Sequence, residues 1–505
     1  MVELKYTPVE NIPAIVQDLQ KTFNIGITKD LSFRKQQLAS LMRFCIEHTD
    51  DIADALHKDL HKHRMEANVG EISAVVDECK FMIKNLDRLA KATSTKKRFQ
   101  MNALDKTLIR KEPKGVVAIL GAWNYPINLL LLPVVGAIAA GNCIAIKPSE
   151  VSVNTAELIG RVLPQYLDKR AYAVINGAVP ETTTLLEQRF GHIFYTGNGL
   201  VGKIVMTAAA KHLTPVTLEL GGKSPAIVAP DADFNITAHR LLWGKFFNAG
   251  QTCVAPDYVI VSKEQIERLV VAFRKVILEY YGTNPQKSES YGRVVNTRQF
   301  DRLKNALDKL DSKSIVIGGE NDRDDLYIAP TVVSPVQVTD DIMQDEIFGP
   351  ILPIVPVKDM DEAIEIVNSK DQPLALYVFS NSAKTYNNIL DKTNSGGALV
   401  NDTLMHLQEL SLPFGGVGPS GMGNYHGERS FETFTHERST MIKSTAFESV
   451  IAARYPPYND DKETLLNLLV YGLPGSIGGK VKTFFRACSA SVRVLFRKQP
   501  QQSNA

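Results

Sequence analysis

The chain has 505 residues, 44% of them hydrophobic, a formal net charge of +2 and five cysteines. That is enough apolar material for two or three packed domains, and the near-neutral balance argues against a general polyanion binder. Cys45, Cys79, Cys143, Cys253 and Cys488 are odd in number, widely spaced and free of C-x-x-C pairs, which speaks against a disulfide framework or zinc cage and for a reducing compartment.

The N-terminal MVELKYTPVENIP has no apolar stretch for a secretory signal, and its acidic residues count against a mitochondrial presequence. Residues 8 to about 92 place apolar side chains at three and four spacing, as in LASLMRFCIEHTDDIADAL, and predict several amphipathic helices. From residue 115 the rhythm changes. The short runs VVAIL, CIAIK, YAVIN and HIFYT alternate with the helical stretches NLLLLPVVGAIAAG, NTAELIGRVLPQYL and GKIVMTAAAKH. Strand and helix alternating in this way predict an α/β fold with a doubly wound parallel sheet, which binds ligands beyond the carboxyl ends of its strands. A second α/β region begins near VTLELGG and runs to about residue 422, with strand candidates YVIV and SIVIGG.

GNGLVG, residues 197 to 202, matches the dinucleotide fingerprint between the predicted strand HIFYT and a predicted helix. Its glycines would let backbone approach a diphosphate at a helix N-terminus, whereas on a plain structural reading they form a helix-entry turn. The fingerprint expects an acidic residue about 20 positions on, and Glu219 stands there. CIAIKPSE supplies a better ribose clamp, because Lys147 and Glu150 bring a cation and a carboxylate to the carboxyl edge of a strand. Glu219 is then free for chemistry. Cys253, in FNAGQTCVAPD, taken alone suits a buried small hydrophobe better than a nucleophile.

Six motifs in order, WNYP (123–126), KPSE (147–150), LELGGK (218–223), GQTC (250–253), EIFGP (346–350) and PFGGVGPSGMG (413–423), resemble the aldehyde dehydrogenase superfamily over nearly the whole chain. YTGN, GNYHGERSFETFTH and ARYPPY are similar to the branch holding the dimeric class 3 enzymes and fatty aldehyde dehydrogenase. The resemblance implies a Rossmann-like cofactor domain (1–85 with 109–212), an α/β catalytic domain (213–423) and a small β bridging element (86–108 with 424–450) that supports a homodimer. It implies NAD as cofactor, with NADP open, and no metal. Cys253 becomes the expected nucleophile, since thiolate addition to an aldehyde makes the tetrahedral alkoxide from which hydride can leave. Asn124 would donate to that oxyanion with the Cys253 N–H, and Glu219 would activate the water that hydrolyses the thioester. Glu346 and Phe348 would meet the nicotinamide ribose and ring, and Gly197, Asn198, Gly199 and Gly202 the diphosphate. Relatives often carry a hydroxyl or small residue where this chain has Asn198 and Gly199.

Residues 464 to 505 contain no acidic residue. LLNLLVYGLPGSIGG is shorter than the about 20 residues of a membrane span. In KVKTFFRACSASVRVLFRK, at about 100° per residue, Val481, Phe484, Phe485, Cys488, Val492, Leu495 and Phe496 share an arc of about 120°, opposite Lys482, Arg486, Arg493 and Arg497. That is an interfacial-helix pattern, and equally one for a helix packed on protein. The expectation is an oxidiser of medium or long aliphatic aldehydes on the cytosolic face of an intracellular membrane, such as the endoplasmic reticulum. The alternatives are a coenzyme-A-acylating dehydrogenase and a membrane-surface scaffold or stress protein without turnover.

Overall fold

The computed structural model describes residues 3–99, 102, 105–446, 448, 454–471 and 476–496. Arg497 and the rest of the chain to residue 505, with 472–475, lie outside the described residues. The chain forms two compact units, Met1–Leu89 with Pro113–Thr435, and Ala90–Glu112 with His436–Ala505.

The first unit contains two large sheets. Val116–Leu120, Cys143–Lys147 and His192–Thr196 are buried at every position. Continuous apolar runs of this kind belong to parallel strands covered on both faces, and these three are paired in parallel. The sheet runs Gly421–Met422, Val216–Glu219, His192–Thr196, Val116–Leu120, Cys143–Lys147, Tyr172–Val174. Successive strands go outward from Val116–Leu120 on one side and from His192–Thr196 on the other, so the topological switch lies between these two. A crevice opens at such a point because the following loops turn to opposite faces. WNYP follows one of these strands and the GNGLVG loop the other.

Helix Asn128–Ala140 buries every residue after Asn128, as expected of a helix that is apolar all round. The N-terminal segment is helical as its periodicity predicts, with Ile12–Ile25, Leu31–Glu47, Thr49–Leu60 and Ser73–Leu89 as its main helices. The second sheet has seven strands in the order Ile315–Ile317, Thr331–Val333, Ile351–Val357, Tyr258–Ser262, Pro225–Val228, Ala375–Phe379, Gly397–Val400. Only the pairing of its first two strands is antiparallel.

Val216–Glu219, which lies beyond the expected division at residue 212, is hydrogen-bonded into the first sheet, in parallel with His192–Thr196 and antiparallel to Gly421–Met422. Leu86–Leu89 and the helix Glu428–Thr433, both in the segments expected to bridge, belong to the first unit. The second unit has a three-stranded sheet of Thr93–Ser94, Lys106–Pro113 and Thr435–Ile442, and the helices Asp460–Tyr471 and Ile477–Phe496.

Candidate active site

Glu219 ends its strand and Cys253 lies in the turn before Tyr258–Ser262, so the carboxyl edge of the first sheet and the amino edge of the second supply one residue each. Helix Phe234–Phe246 runs into a tight turn, Phe247–Gly250, in which Asn248 and Ala249 both adopt left-handed backbone, with φ of 54° and 51°. Each such residue stores on the order of 1–3 kcal/mol of strain and persists only where its surroundings fix it. Gly250, at φ 76°, could not be replaced: an added Cβ would lie 2.3 Å from the Gly349 carbonyl.

Hydrogen bonds hold this turn. The Asn248 side-chain amide donates to the carbonyls of Asn124 (2.9 Å) and Gln251 (3.0 Å). Gln251 donates to the carbonyls of Asn248 (3.1 Å) and Arg293 (2.9 Å) and accepts from the Val295 N–H (2.9 Å). Asn124, 3% exposed, donates one amide hydrogen to the Gln251 carbonyl at 3.0 Å. The two loops that carry Asn124 and Cys253 are therefore one hydrogen-bonded body. The Tyr125 hydroxyl meets Thr252 Oγ1 at 2.7 Å, next to the cysteine.

Cys253 is half-buried. Burial, then the negative charges of Glu346 and Glu219, push its thiol up, while the N–H groups of Cys253 and Val254 pull the other way. These influences together favour the neutral thiol. Glu219 is 2% exposed and neither carboxylate oxygen has a hydrogen-bond partner. Burial raises its pKa well above the carboxylate range, as expected for an uncompensated acid. A buried acid in that state holds its proton to higher pH than an exposed carboxylate does.

The EIFGP loop is fastened beneath the site. Lys223 pairs with Asp257 at 2.6 Å and donates to the carbonyls of Ile342 (3.1 Å) and Asp345 (2.8 Å), while Asp257 accepts from the Ile347 N–H at 3.0 Å. Glu346 is raised to about 8 by burial and by Asp257, and the Gly222 N–H acts in the opposite direction. An alanine at Gly221 would put its Cβ 2.2 Å from the Glu346 carboxylate, which would have to move aside. Phe348 sits at φ 48° with its ring edge-on to Trp123, centroids 5.3 Å apart.

On the first sheet, Lys147 donates to Glu150 at 3.1 Å, and Ser152 Oγ donates to the Trp123 carbonyl at 2.7 Å. The Gly197 N–H donates to the Glu219 carbonyl at 2.9 Å. Asn198 caps helix Gly199–Ala210 by accepting from the Val201 N–H, Gly199 has open space where a Cβ would be, and Gly202 packs against Leu220. The capping bond explains the Asn198–Gly199 departure: Asn is among the best N-caps and needs no hydroxyl.

Asn124 is thus tied to the Cys253 turn by hydrogen bonds, Gly197 to Glu219 by a backbone bond, Phe348 to the WNYP loop by a ring contact, and Glu219 and Glu346 to Cys253 by their electrostatic influence. Tyr125, Asn248, Gln251 and the Lys223–Asp257 pair were not singled out. Only Asn248 carried a readable signal, an asparagine before Ala-Gly in a strained turn, since Asn tolerates left-handed backbone. The others depend on contacts between distant segments.

The aldehyde dehydrogenase family model matches residues 2–440. Aldehyde dehydrogenase family 3 member A2 of Rattus norvegicus is 48% identical over 447 residues, covering 88% of this chain and 92% of its own. The dimeric NADP-preferring aldehyde dehydrogenase of Canis lupus familiaris is 47% identical over 449 residues, 89% of this chain and 98% of its own. The substrate-bound structure of Staphylococcus aureus AldH superposes with a TM-score of 0.86 at 44% identity, covering 88% of this chain and 97% of that one. With a family model spanning most of its length and relatives near half identity, the chain belongs to the aldehyde dehydrogenase family and is an NAD(P)-dependent oxidoreductase acting on aldehydes.

Proposed function

We propose that the protein oxidises medium- and long-chain aliphatic aldehydes to carboxylic acids, with NAD preferred, through an acyl group carried on Cys253. The observation that carries the mechanism is the Glu219 carboxylate, buried and unpartnered, whose charge is felt by the Cys253 thiol. Cys253 adds to the aldehyde carbon as thiolate, and the resulting oxyanion takes hydrogen bonds from the remaining N–H of the Asn124 amide and from the Cys253 N–H. Preorganised donors lower the barrier here because negative charge develops on oxygen. The nicotinamide dinucleotide, when bound, accepts hydride and brings the positive charge that favours thiolate. Glu219 then takes a proton from water as that water attacks the thioester, and the acid leaves with Cys253 restored.

The residues fit such a dinucleotide. Glu150, held by Lys147, suits a ribose hydroxyl and repels a 2′-phosphate, which favours NAD. The open N-terminus at Gly199 suits diphosphate, and Glu346 and Phe348 suit the nicotinamide ribose and ring. Product analysis without coenzyme A separates hydrolysis from acyl transfer: free acid supports Glu219 as base, and a requirement for coenzyme A refutes it.

The chain-length preference and the membrane setting rest on the second unit. Among the described residues no helix is long and apolar enough to cross a membrane. Helix Ile477–Phe496 buries Ala487 and Ala490 and exposes Val481, Phe484, Phe485 and Val492 at 52–68%. An apolar face of this kind suits insertion at a lipid surface, with Lys482 and Arg486 near the headgroups. Arg493 differs from the expected free cation, because it binds Asp461 of the preceding helix at 2.7 Å. Location on the cytosolic face of an intracellular membrane and assembly as a homodimer complete the proposal; the dog relative is named dimeric. An NADH-coupled scan of alkanals of increasing length, with and without residues 464–505, tests it. Loss confined to long aldehydes supports the reading, and equal loss at all lengths refutes it.

A further inference from the structure

Helix Thr49–Leu60 ends in an abrupt reversal, with His61 in left-handed backbone at φ 53°. The turn sends the next side chain, Lys62, into the protein, where its ammonium and the Glu71 carboxylate are both 0% exposed and 2.5 Å apart. A buried pair of charges is an unusual choice for stability alone, because desolvation offsets most of the attraction. What the pair touches explains its presence.

Lys62 Nζ donates to the Asn124 carbonyl at 2.7 Å and lies over the Tyr125 ring, 3.9 Å from its centroid. The other Glu71 oxygen accepts from the N–H groups of Ile127 and Asn128, at 3.0 Å each. The ion pair therefore grips both flanks of the WNYP loop. The same Asn124 carbonyl accepts from Asn248 across the site, so the peptide that follows Asn124 is fixed from two sides. One turn back, the Leu60 carbonyl accepts from the Arg293 N–H at 3.0 Å, and the Arg293 carbonyl accepts from Gln251. No group of Lys62 or Glu71 has a role in the chemistry set out above.

We infer that Lys62, paired with Glu71, is a positioning residue that fixes the Asn124 loop so that the Asn124 amide meets the oxyanion formed at Cys253. This rests on the oxyanion role of Asn124 proposed above. The ammonium acts at the carbonyl of Asn124 and leaves the side-chain amide free to turn its second N–H toward substrate. A displacement of about 1 Å in such a donor costs on the order of 100-fold in rate.

The test compares full-length Asn124→Ala, the double variant Lys62→Met/Glu71→Gln and the triple variant. Methionine keeps the length of lysine, glutamine keeps an acceptor for Ile127 and Asn128, and removing both charges leaves neither member of the pair alone, although Glu66 loses the Lys62 charge as well. Melting temperature and NAD affinity report the fold, and the NADH burst with a short alkanal reports acylation. The double variant should hold NAD as the wild type does, with the burst about 10- to 100-fold slower and KM changed less than about threefold. Adding Asn124→Ala to it should slow the burst little further, because the two act through one group. If Asn124→Ala slows the burst while the double variant does not, or if the two losses multiply, the positioning role of Lys62 is overturned and the oxyanion reading stands. If Asn124→Ala leaves the burst unchanged, both are overturned. Should the double variant melt far below the wild type, Glu71→Gln alone, which keeps an acceptor for Ile127 and Asn128 but removes the charge that holds Lys62 against the Asn124 carbonyl, must still slow the burst with NAD affinity kept; an unchanged burst there overturns the proposal.

Discussion

The site in the first unit and the terminal helix pair in the second treat polar and apolar groups in opposite ways. Around Cys253 the polar side chains Asn124, Gln251, Lys62, Glu71, Lys223 and Asp257 are buried and paired, Asn248 is paired through its amide nitrogen, and Glu219 is buried with neither oxygen paired. In helix Ile477–Phe496 the large apolar side chains Phe484 and Phe485 face outward, and the small Ala487 and Ala490 form the packed side. A buried polar network restricts a loop to one geometry, since any other arrangement leaves groups unsatisfied. An outward apolar stripe fixes nothing in its own unit and gains stability only by contact with something apolar. The first arrangement suits chemistry and the second suits association.

Cys253→Ala breaks the first half of this comparison most severely. Aldehyde oxidation should fall by about four orders of magnitude or more, with NAD affinity and melting temperature kept. Substantial residual turnover would remove the cysteine from its role. Glu219→Gln should keep the NADH burst and slow steady-state turnover by about 100-fold or more. Its pH dependence has a definite sign. Only the carboxylate accepts a proton from water, and burial raises its pKa, so wild-type steady-state turnover should climb as pH rises above the ordinary carboxylate range; the glutamine variant should lose that limb. Linkage gives a second signature. The folded state holds the Glu219 proton above the pH at which the unfolded chain releases it, so this group lowers stability as pH rises. Glu219→Gln should therefore raise the melting temperature at pH 8 more than at pH 5.

Alkylation of Cys253 by iodoacetamide should be slow at neutral pH without nucleotide, because burial favours the protonated thiol. NAD should move the alkylation profile to lower pH, and no movement would mean that the cofactor does not supply the charge. In the other region, Phe484→Glu/Phe485→Glu should weaken binding to anionic vesicles by about tenfold or more while short-alkanal kcat/KM stays unchanged. A parallel fall in short-alkanal turnover would show that this helix serves the enzyme's own body. The smallest effect is expected at Arg493→Ala, which removes a mostly exposed pair with Asp461 and should leave the melting temperature unresolved from wild type.

The Cys253 turn shows where sequence reading stops. GQTC, LELGGK and WNYP pointed to Cys253, Glu219 and Asn124 through the family resemblance, and the proposed chemistry would use a thiol, a carboxylate and an amide there. Asn248 and Ala249 escaped notice: Asn-Ala-Gly hints at a turn, but an alanine is unremarkable until its backbone is seen at positive φ. Lys62 escaped for a different reason. In HKDLHKHRME it sits among charged residues that read as a solvated stretch, and only the reversal at His61 turns it inward.

The sequence by itself determined the α/β alternation and the membership of the strands in buried parallel sheets, because these follow from local periodicity, and through its motifs' resemblance to a family it pointed to the side chains proposed to react. Tertiary structure alone decided that Glu219 is stripped of partners, that Asn124 and Cys253 share one hydrogen-bonded body, that Lys62 and Glu71 brace it, and that Arg493 is spent on Asp461. Each of these is a contact between residues far apart in the chain, and whether a charge is buried, paired or exposed depends on what the fold brings beside it.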